Sequence, residues 1–384
     1  MSAAAPRIAF HAPLKPPDHP TPSGDRRIAR LTLDALRRAG CRAEIASRRR
    51  SLDLTGDPAV QARRIAEAEA EAAALIEAWR PDPPAAWLTY HCYWKAPDLL
   101  GPLVAAALNL PYLITEPSLS PRRREGPWAA YAAAAEAAIR AADALLWTTR
   151  RDLPMLEAAG LGARLTALPA FLDPGPAPAP RAAEAAGPLR LLAAGMMRPG
   201  DKLASYRALA AALGAARALD WRLEIAGDGA ARAEVEAAFS GFGGRVRFLG
   251  ALEADGLGEA FARAELLVWP GVGEGVGMIF LEAQAAGLPA LAEDRPGPRD
   301  VVFAWRALPP PGAPEAFAEA LAAAAADRAG LRRAGAAARR RVEAAHSLDA
   351  AAARLAAVLQ GLGVRTGAAA EDAAARVSAE GDWT

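Results

Sequence analysis

AELLVWPGVGEGVGMIFLEAQAAGLP, residues 264–289, joins a short apolar run to a longer one through a loop of glycines and one glutamate. A dinucleotide-binding fingerprint needs glycines at the first, third and sixth positions of its loop. Counted from Gly271 the sixth position is Val276, so that fingerprint is absent. What remains is a strand ending in WP, a loop whose glycines let another group come close to the backbone, and a helix expected from about Val276 to Ala286. Gly287 and Pro289 then end that helix. Unpaired N–H groups at such a helix start, together with the helix dipole, favour an anion such as phosphate. Glu274 precedes the helix and Glu282 lies roughly one and a half turns into it, at about 1.5 Å rise per residue. Two carboxylates at two heights beside a phosphate-binding helix start suit a nucleotide joined to a sugar, because a carboxylate accepts well from sugar hydroxyls.

The strand-then-helix unit repeats in both directions from this stretch. RIAFH, AEIAS, AAWLTYH, PYLIT and ALLWTT alternate with helical patterns in the first half, and LRLLAAG, LEIAG, VRFLG and ELLVWP do so in the second. Such alternation implies an α/β protein of two doubly wound parallel sheets. The expected organisation is a first lobe over residues 1–168, a proline-rich linker over 169–188 and a second lobe over 189–346. Residues from Pro314 to about Gly361 read as helical with a break at His346-Ser347. The piece 347–362 is expected to cross back to the first lobe, and 363–384 to form a tail without a packing stripe.

At 384 residues the chain is long enough for two cores. A formal net charge of +1 argues against nucleic acid as a partner. Cys41 and Cys92 are too few for a disulfide framework, and no apolar run reaches about 18 residues, so a cytoplasmic protein is expected. Four histidines and two cysteines without ligand spacing give no metal site.

The order EGVGMIFLEAQAAGLP, with the flanking LEIAGDGAARAEVEAAF and RVRFLGAL, resembles glycosyltransferase family 4. Members of that family are retaining enzymes of two Rossmann-like lobes facing a cleft, the GT-B fold, and use nucleotide-sugar donors, generally without a metal or other cofactor. The resemblance implies that Glu282 holds the ribose, Glu274 contacts the transferred sugar, and Gly275, Val276, Gly277 and Met278 face the phosphates. It further implies that Lys202 neutralises the diphosphate and that Gly24, Gly195 and Gly227 lie on the donor side. Met196 stands where the family usually has an arginine, with Arg198 as the nearby substitute. At the strand end where members often carry a functional histidine this chain has Glu116, and His91 ends the preceding strand. Both are acceptor-side candidates. Arg122, Arg123 and Arg124, beside Trp128, are candidates for an anionic acceptor or for weak contact with the inner face of an acidic membrane.

The function these residues imply is transfer of a UDP- or GDP-linked sugar, with retention, to a glycan, lipid-linked or small-molecule acceptor. Two other readings remain open. A non-catalytic module could keep the fold and bind the nucleotide-sugar, and a glycosidase could use Glu274 and Glu282 as its carboxylate pair.

Overall fold

The computed structural model describes residues 4–21, 23–175 and 187–367. They fall into two compact units. The second is Ala170–Ser347, and the first takes the described residues of Met1–Pro169 and of Leu348–Thr384.

The first unit runs β1 (Arg7–His11), α1 (Gly24–Arg38), β2 (Arg42–Ser47), α2 (Pro58–Trp79), β3 (Ala86–Cys92), α3 (Gly101–Leu108), β4 (Tyr112–Pro117), α4 (Ala129–Ala141), β5 (Ala144–Trp147), α5 (Leu153–Ala158) and β6 (Leu165–Ala167). Its six strands are ordered β2-β1-β3-β4-β5-β6 and pair in parallel throughout. A parallel sheet covered on both faces needs strands that are apolar along their length, and Ile8, Phe10, Trp87, Leu88, Leu113, Ile114 and Leu145 are all buried. Helix starts are set locally. The Ser23 hydroxyl accepts from Arg26 N at 3.2 Å before α1, and the Asp57 carboxylate caps α2, which has Pro58 at its first position.

The second unit runs β7 (Leu189–Ala194), α6 (Asp201–Ala215), β8 (Trp221–Ala226), α7 (Arg232–Phe239), β9 (Val246–Gly250), α8 (Ala254–Arg263), β10 (Leu266–Val268), α9 (Met278–Ala285), β11 (Ala290–Leu291), α10 (Pro298–Val301), α11 (Pro314–Ala326) and α12 (Arg328–Ala345). Its five strands are ordered β11-β10-β7-β8-β9, again all parallel. The chain then returns to the first unit as α13 (Leu348–Gly361), which packs on α1 and pairs Asp349 with Arg38.

Three sequence expectations differ from the structure. The helix after the glycine loop starts at Met278 rather than Val276, because Gly277 takes a left-handed φ of 80° that a continuing helix cannot use. The helical stretch after Pro314 has a second break at Asp327, where ψ is 67° and the carboxylate caps the next helix through Gly330 N. Of the expected linker 169–188, residues 176–186 lie outside the described residues. Its start is not loose: Leu172 bridges to Ser347, Leu172 N donates to His346 O at 2.9 Å, and Ala170 to Leu172 are buried. The expected tail lies outside the described residues from 368 onward. Among the described residues no helix is long and apolar enough to cross a membrane.

Candidate active site

In each sheet the chain reverses its winding beside the first strand, and ligands of open α/β sheets bind outside the carboxyl ends of strands at such a switch point. In the second unit the switch lies between β7 and β10, which pair through Leu191–Leu266 and Leu192–Leu267. The loops leaving these neighbouring strands must therefore meet. One carries Gly195 to Gly200 and opens α6, and the other carries Gly271 to Gly277 and opens α9.

Their meeting point is an ion pair between Lys202 and Glu274. The same carboxylate oxygen, Oε1, accepts the ring N–H of Trp269 at 2.9 Å, and the Glu274 side chain is only 11% exposed. The Val272 amide donates to Ser205 Oγ at 2.9 Å, which ties the glycine loop to α6. Gly273, at φ 64°, packs so closely on Asp201 that a Cβ there would strike the carboxylate. No side chain caps the start of α9, so its first-turn amides are not taken up by a capping residue. Glu282 lies half-buried on that helix. Beneath the pair, Tyr206 donates its hydroxyl to Gly195 O at 2.6 Å and packs edge-on against Trp269, ring centroids 4.8 Å apart. Gly227 approaches the Gly195 carbonyl too closely for any Cβ.

Arg198 does not join this group. Its guanidinium contacts Met196 Sδ at 2.7 Å and forms no ion pair among the described residues. Met196 itself is 47% exposed.

In the first unit β1, β3 and β4 are neighbours, and their carboxyl ends gather a second polar group. His91 Nδ1 lies 3.6 Å from Asp25 Oδ1, in the first turn of α1, and 3.6 Å from Glu116 Oε2 at the end of β4. His91 and Glu116 both hold positive φ, 61° and 51°, a costly conformation for residues with side chains that concentrates at functional sites. Burial works against a charged His91, but the Asp25 and Glu116 carboxylates outweigh it and lift the imidazole above its ordinary 6.5. Burial raises Glu116 above the usual carboxylate range, with His91 opposing. Burial would raise Asp25 as well, yet His91 holds it below its ordinary value. The Tyr90 phenol is buried beside this group, and burial together with the Glu116 and Asp25 carboxylates pushes it well above its ordinary value. Tyr93 lies against the His91 ring at 4.7 Å.

The structure thus brings together Lys202 and Glu274, and separately His91 and Glu116. Gly24 begins α1, one residue before Asp25, and faces open space. The three arginines do not form one anion-binding group. Arg124 makes two 3.0 Å bonds to Glu136, Arg123 lies over Trp94 at 4.3 Å, and Arg122 is exposed. Trp128 is buried against Trp94. Among the described residues no group of three or more His, Cys, Asp or Glu side chains could hold a metal ion. Sequence reasoning missed Trp269 and Asp25. A tryptophan before Pro270 reads as core, and an aspartate beside a helix start reads as dipole pairing, so neither carries a signal of its own.

Residues 188–327 match the family model described as Glycosyl transferases group 1. Over 81 residues the chain is 33% identical to the sulfoquinovosyl transferase of Arabidopsis thaliana, a match covering 21% of this chain and 16% of that protein's length. The sucrose-phosphate synthase of Thermosynechococcus elongatus aligns with a TM-score of 0.66 at 20% identity, covering 93% of this chain and 99% of that one. The Anabaena protein HepE, solved in complex with UDP and glucose, aligns with a TM-score of 0.64 at 15% identity, covering 92% and 99%. Identities this low establish fold alone. The chain therefore has the GT-B glycosyltransferase fold of two Rossmann-like units, and residues 188–327 of its second unit are similar to the Glycosyl transferases group 1 model.

Proposed function

We propose that the protein transfers a sugar from a UDP- or GDP-linked donor to a hydroxyl acceptor with retention of configuration. The observation that carries this reading is the Lys202–Glu274 pair set beside the uncapped start of α9, within the matched domain. The Anabaena relative's UDP favours a uridine donor. In this reading the first-turn amides of α9 and the Lys202 ammonium take the diphosphate, Glu282 takes the ribose hydroxyls, and Glu274 takes a hydroxyl of the sugar.

The reaction breaks the bond between the sugar's anomeric carbon and the diphosphate oxygen and forms one to the acceptor oxygen on the same face. The acceptor's proton leaves with the diphosphate. Negative charge grows on the leaving group, where a fixed cation lowers the barrier most, so Lys202 serves the transition state and no metal is needed. In the first unit Glu116 is the candidate to accept from an acceptor hydroxyl, with the His91 imidazole holding that carboxylate in place. Because the diphosphate leaves from one face of the sugar and the acceptor attacks on that same face, no carboxylate nucleophile on the opposite face is required.

The test is to offer UDP-glucose, UDP-galactose and GDP-mannose with a panel of glycan, lipid and small-molecule acceptors. Release of the nucleoside diphosphate should require an acceptor, and the product's anomeric signals should match the donor's. Inverted product would overturn retention. One observation favours a second reading, a binding module without turnover: Met196 replaces the family's arginine and Arg198 folds onto it, leaving the diphosphate side with one cation fewer. Tight donor binding without release in any combination would select that reading.

A further inference from the structure

Trp269 is 0% exposed, yet it carries a polar N–H to the surface of the donor group. Its backbone is fixed at the end of β10, where the amide donates to Leu291 O at 3.0 Å. Its ring is wedged between Tyr206 and Gly195, whose Cβ, if present, would meet the ring at 3.2 Å. The N–H donates to Glu274 Oε1 at 2.9 Å, and the Lys202 ammonium, on the same oxygen, lies 5.6 Å from the ring centroid. Glu274 itself sits in a loop with glycines at 271, 273, 275 and 277, whose backbone confers little rigidity. Lys202 cannot neutralise a diphosphate and hold Glu274 at full strength together.

The geometry points to Trp269 as a positioning residue for Glu274, an inference that rests on the transferase reading of that carboxylate. The ring N–H holds one carboxylate oxygen when Lys202 is drawn to the diphosphate, and so leaves the other oxygen aimed to accept from a sugar hydroxyl. A largely buried carboxylate deprived of both partners would bear the full cost of desolvation and swing away. Tyr206 acts one step further out: it fixes the ring and the Gly195 carbonyl together, so the loops after β7 and β10 keep one spacing.

The experiment replaces Trp269 by benzothienylalanine, which keeps the shape of the ring and removes the N–H, in the otherwise unaltered chain and in Glu274→Ala. In the unaltered background kcat should fall about tenfold, as for loss of one charge-assisted hydrogen bond, with the affinity for bare UDP unchanged. In Glu274→Ala the replacement should have no further effect. An equal loss in both backgrounds, or an unchanged kcat, would overturn the inference. The second readout is the indole N–H resonance of Trp269, assigned by its disappearance in Trp269→Phe. It should move on Glu274→Ala. If the chain turns over no nucleotide-sugar, the transferase reading fails, and an indole signal that ignores Glu274→Ala still separately overturns the hydrogen bond's role.

Discussion

Lys202 is committed to Glu274, so an incoming diphosphate has to compete for it. Two opposite effects on bare nucleotide follow. Lys202→Ala should weaken UDP or GDP binding by about 1.5–3 kcal/mol, the range for a hydrogen bond to a charged group. Glu274→Gln should strengthen it, because the ammonium is released from its partner, while lowering turnover. Calorimetric titration of both variants checks the signs, and weaker binding in both would contradict the competition. In the first unit the His91 imidazole is raised by Asp25 and Glu116. A group raised on folding stabilises fully below its unfolded value, about 6.5, and that stability is lost as pH rises through the folded value. Glu116→Gln removes one of the two raising charges, so the imidazole resonances of His91 should titrate at lower pH than in the parent. An unshifted titration would mean that Asp25 alone governs this histidine. Transfer by that variant should fall as well if Glu116 orients the acceptor. A selective fall in transfer with the fold intact separates this role from mere support of the strand end.

Elements with a strong period were the legible part of this chain. RIAFH, LRLLAAG and ELLVWP read as strands because parallel strands buried on both faces are apolar throughout, and each stands within a residue or two of its observed bounds. Helix ends set by a single dihedral were not legible. Gly277 could have continued a turn or ended it, and only the left-handed φ of 80° delays α9 to Met278. The break at Asp327 was hidden because alanines run up to it and helix-forming arginines, alanine and leucine follow. Within one short segment the sequence order carried over, with Glu274 before α9 and Glu282 on it. Pairings made by the sheet between distant segments were not legible: Lys202 and Glu274 are 72 residues apart, and Asp25 reaches His91 only through strand order. Gly277 also offers a test of the element itself. A Cβ there would lie 2.7 Å from the Phe280 ring and would be held at positive φ. Gly277→Ala should cost about 1–2 kcal/mol for the left-handed backbone alone. That corresponds to a melting temperature lower by about 2–8 °C in a unit of this size, read by circular dichroism. No fall in melting temperature would mean that the loop relaxes to a right-handed start.

The molecule is two units, but the chain passes through the first unit twice, since α13 packs on α1 after the whole second unit has been laid down. Leu355 and Leu359 on α13 are each 0% exposed. Burying two leucines is worth about 3–6 kcal/mol, a large share of the stability of any domain. A chain ending at Ser347 should therefore melt its first unit well below the parent while the second unit keeps its nucleotide affinity. Scanning calorimetry and UDP titration would check both parts, and a first unit unchanged in melting would show that α13 adds nothing. The same connectivity has a consequence during synthesis. Arg38 and its partner Asp349 are separated by 311 positions, so at roughly 5–20 residues per second α1 waits about 15–60 s before its covering helix is made. During that interval the whole second unit is synthesised, and α1 lacks the helix that packs on it in the finished chain. The first unit, begun first, is thus the last to receive all of its chain.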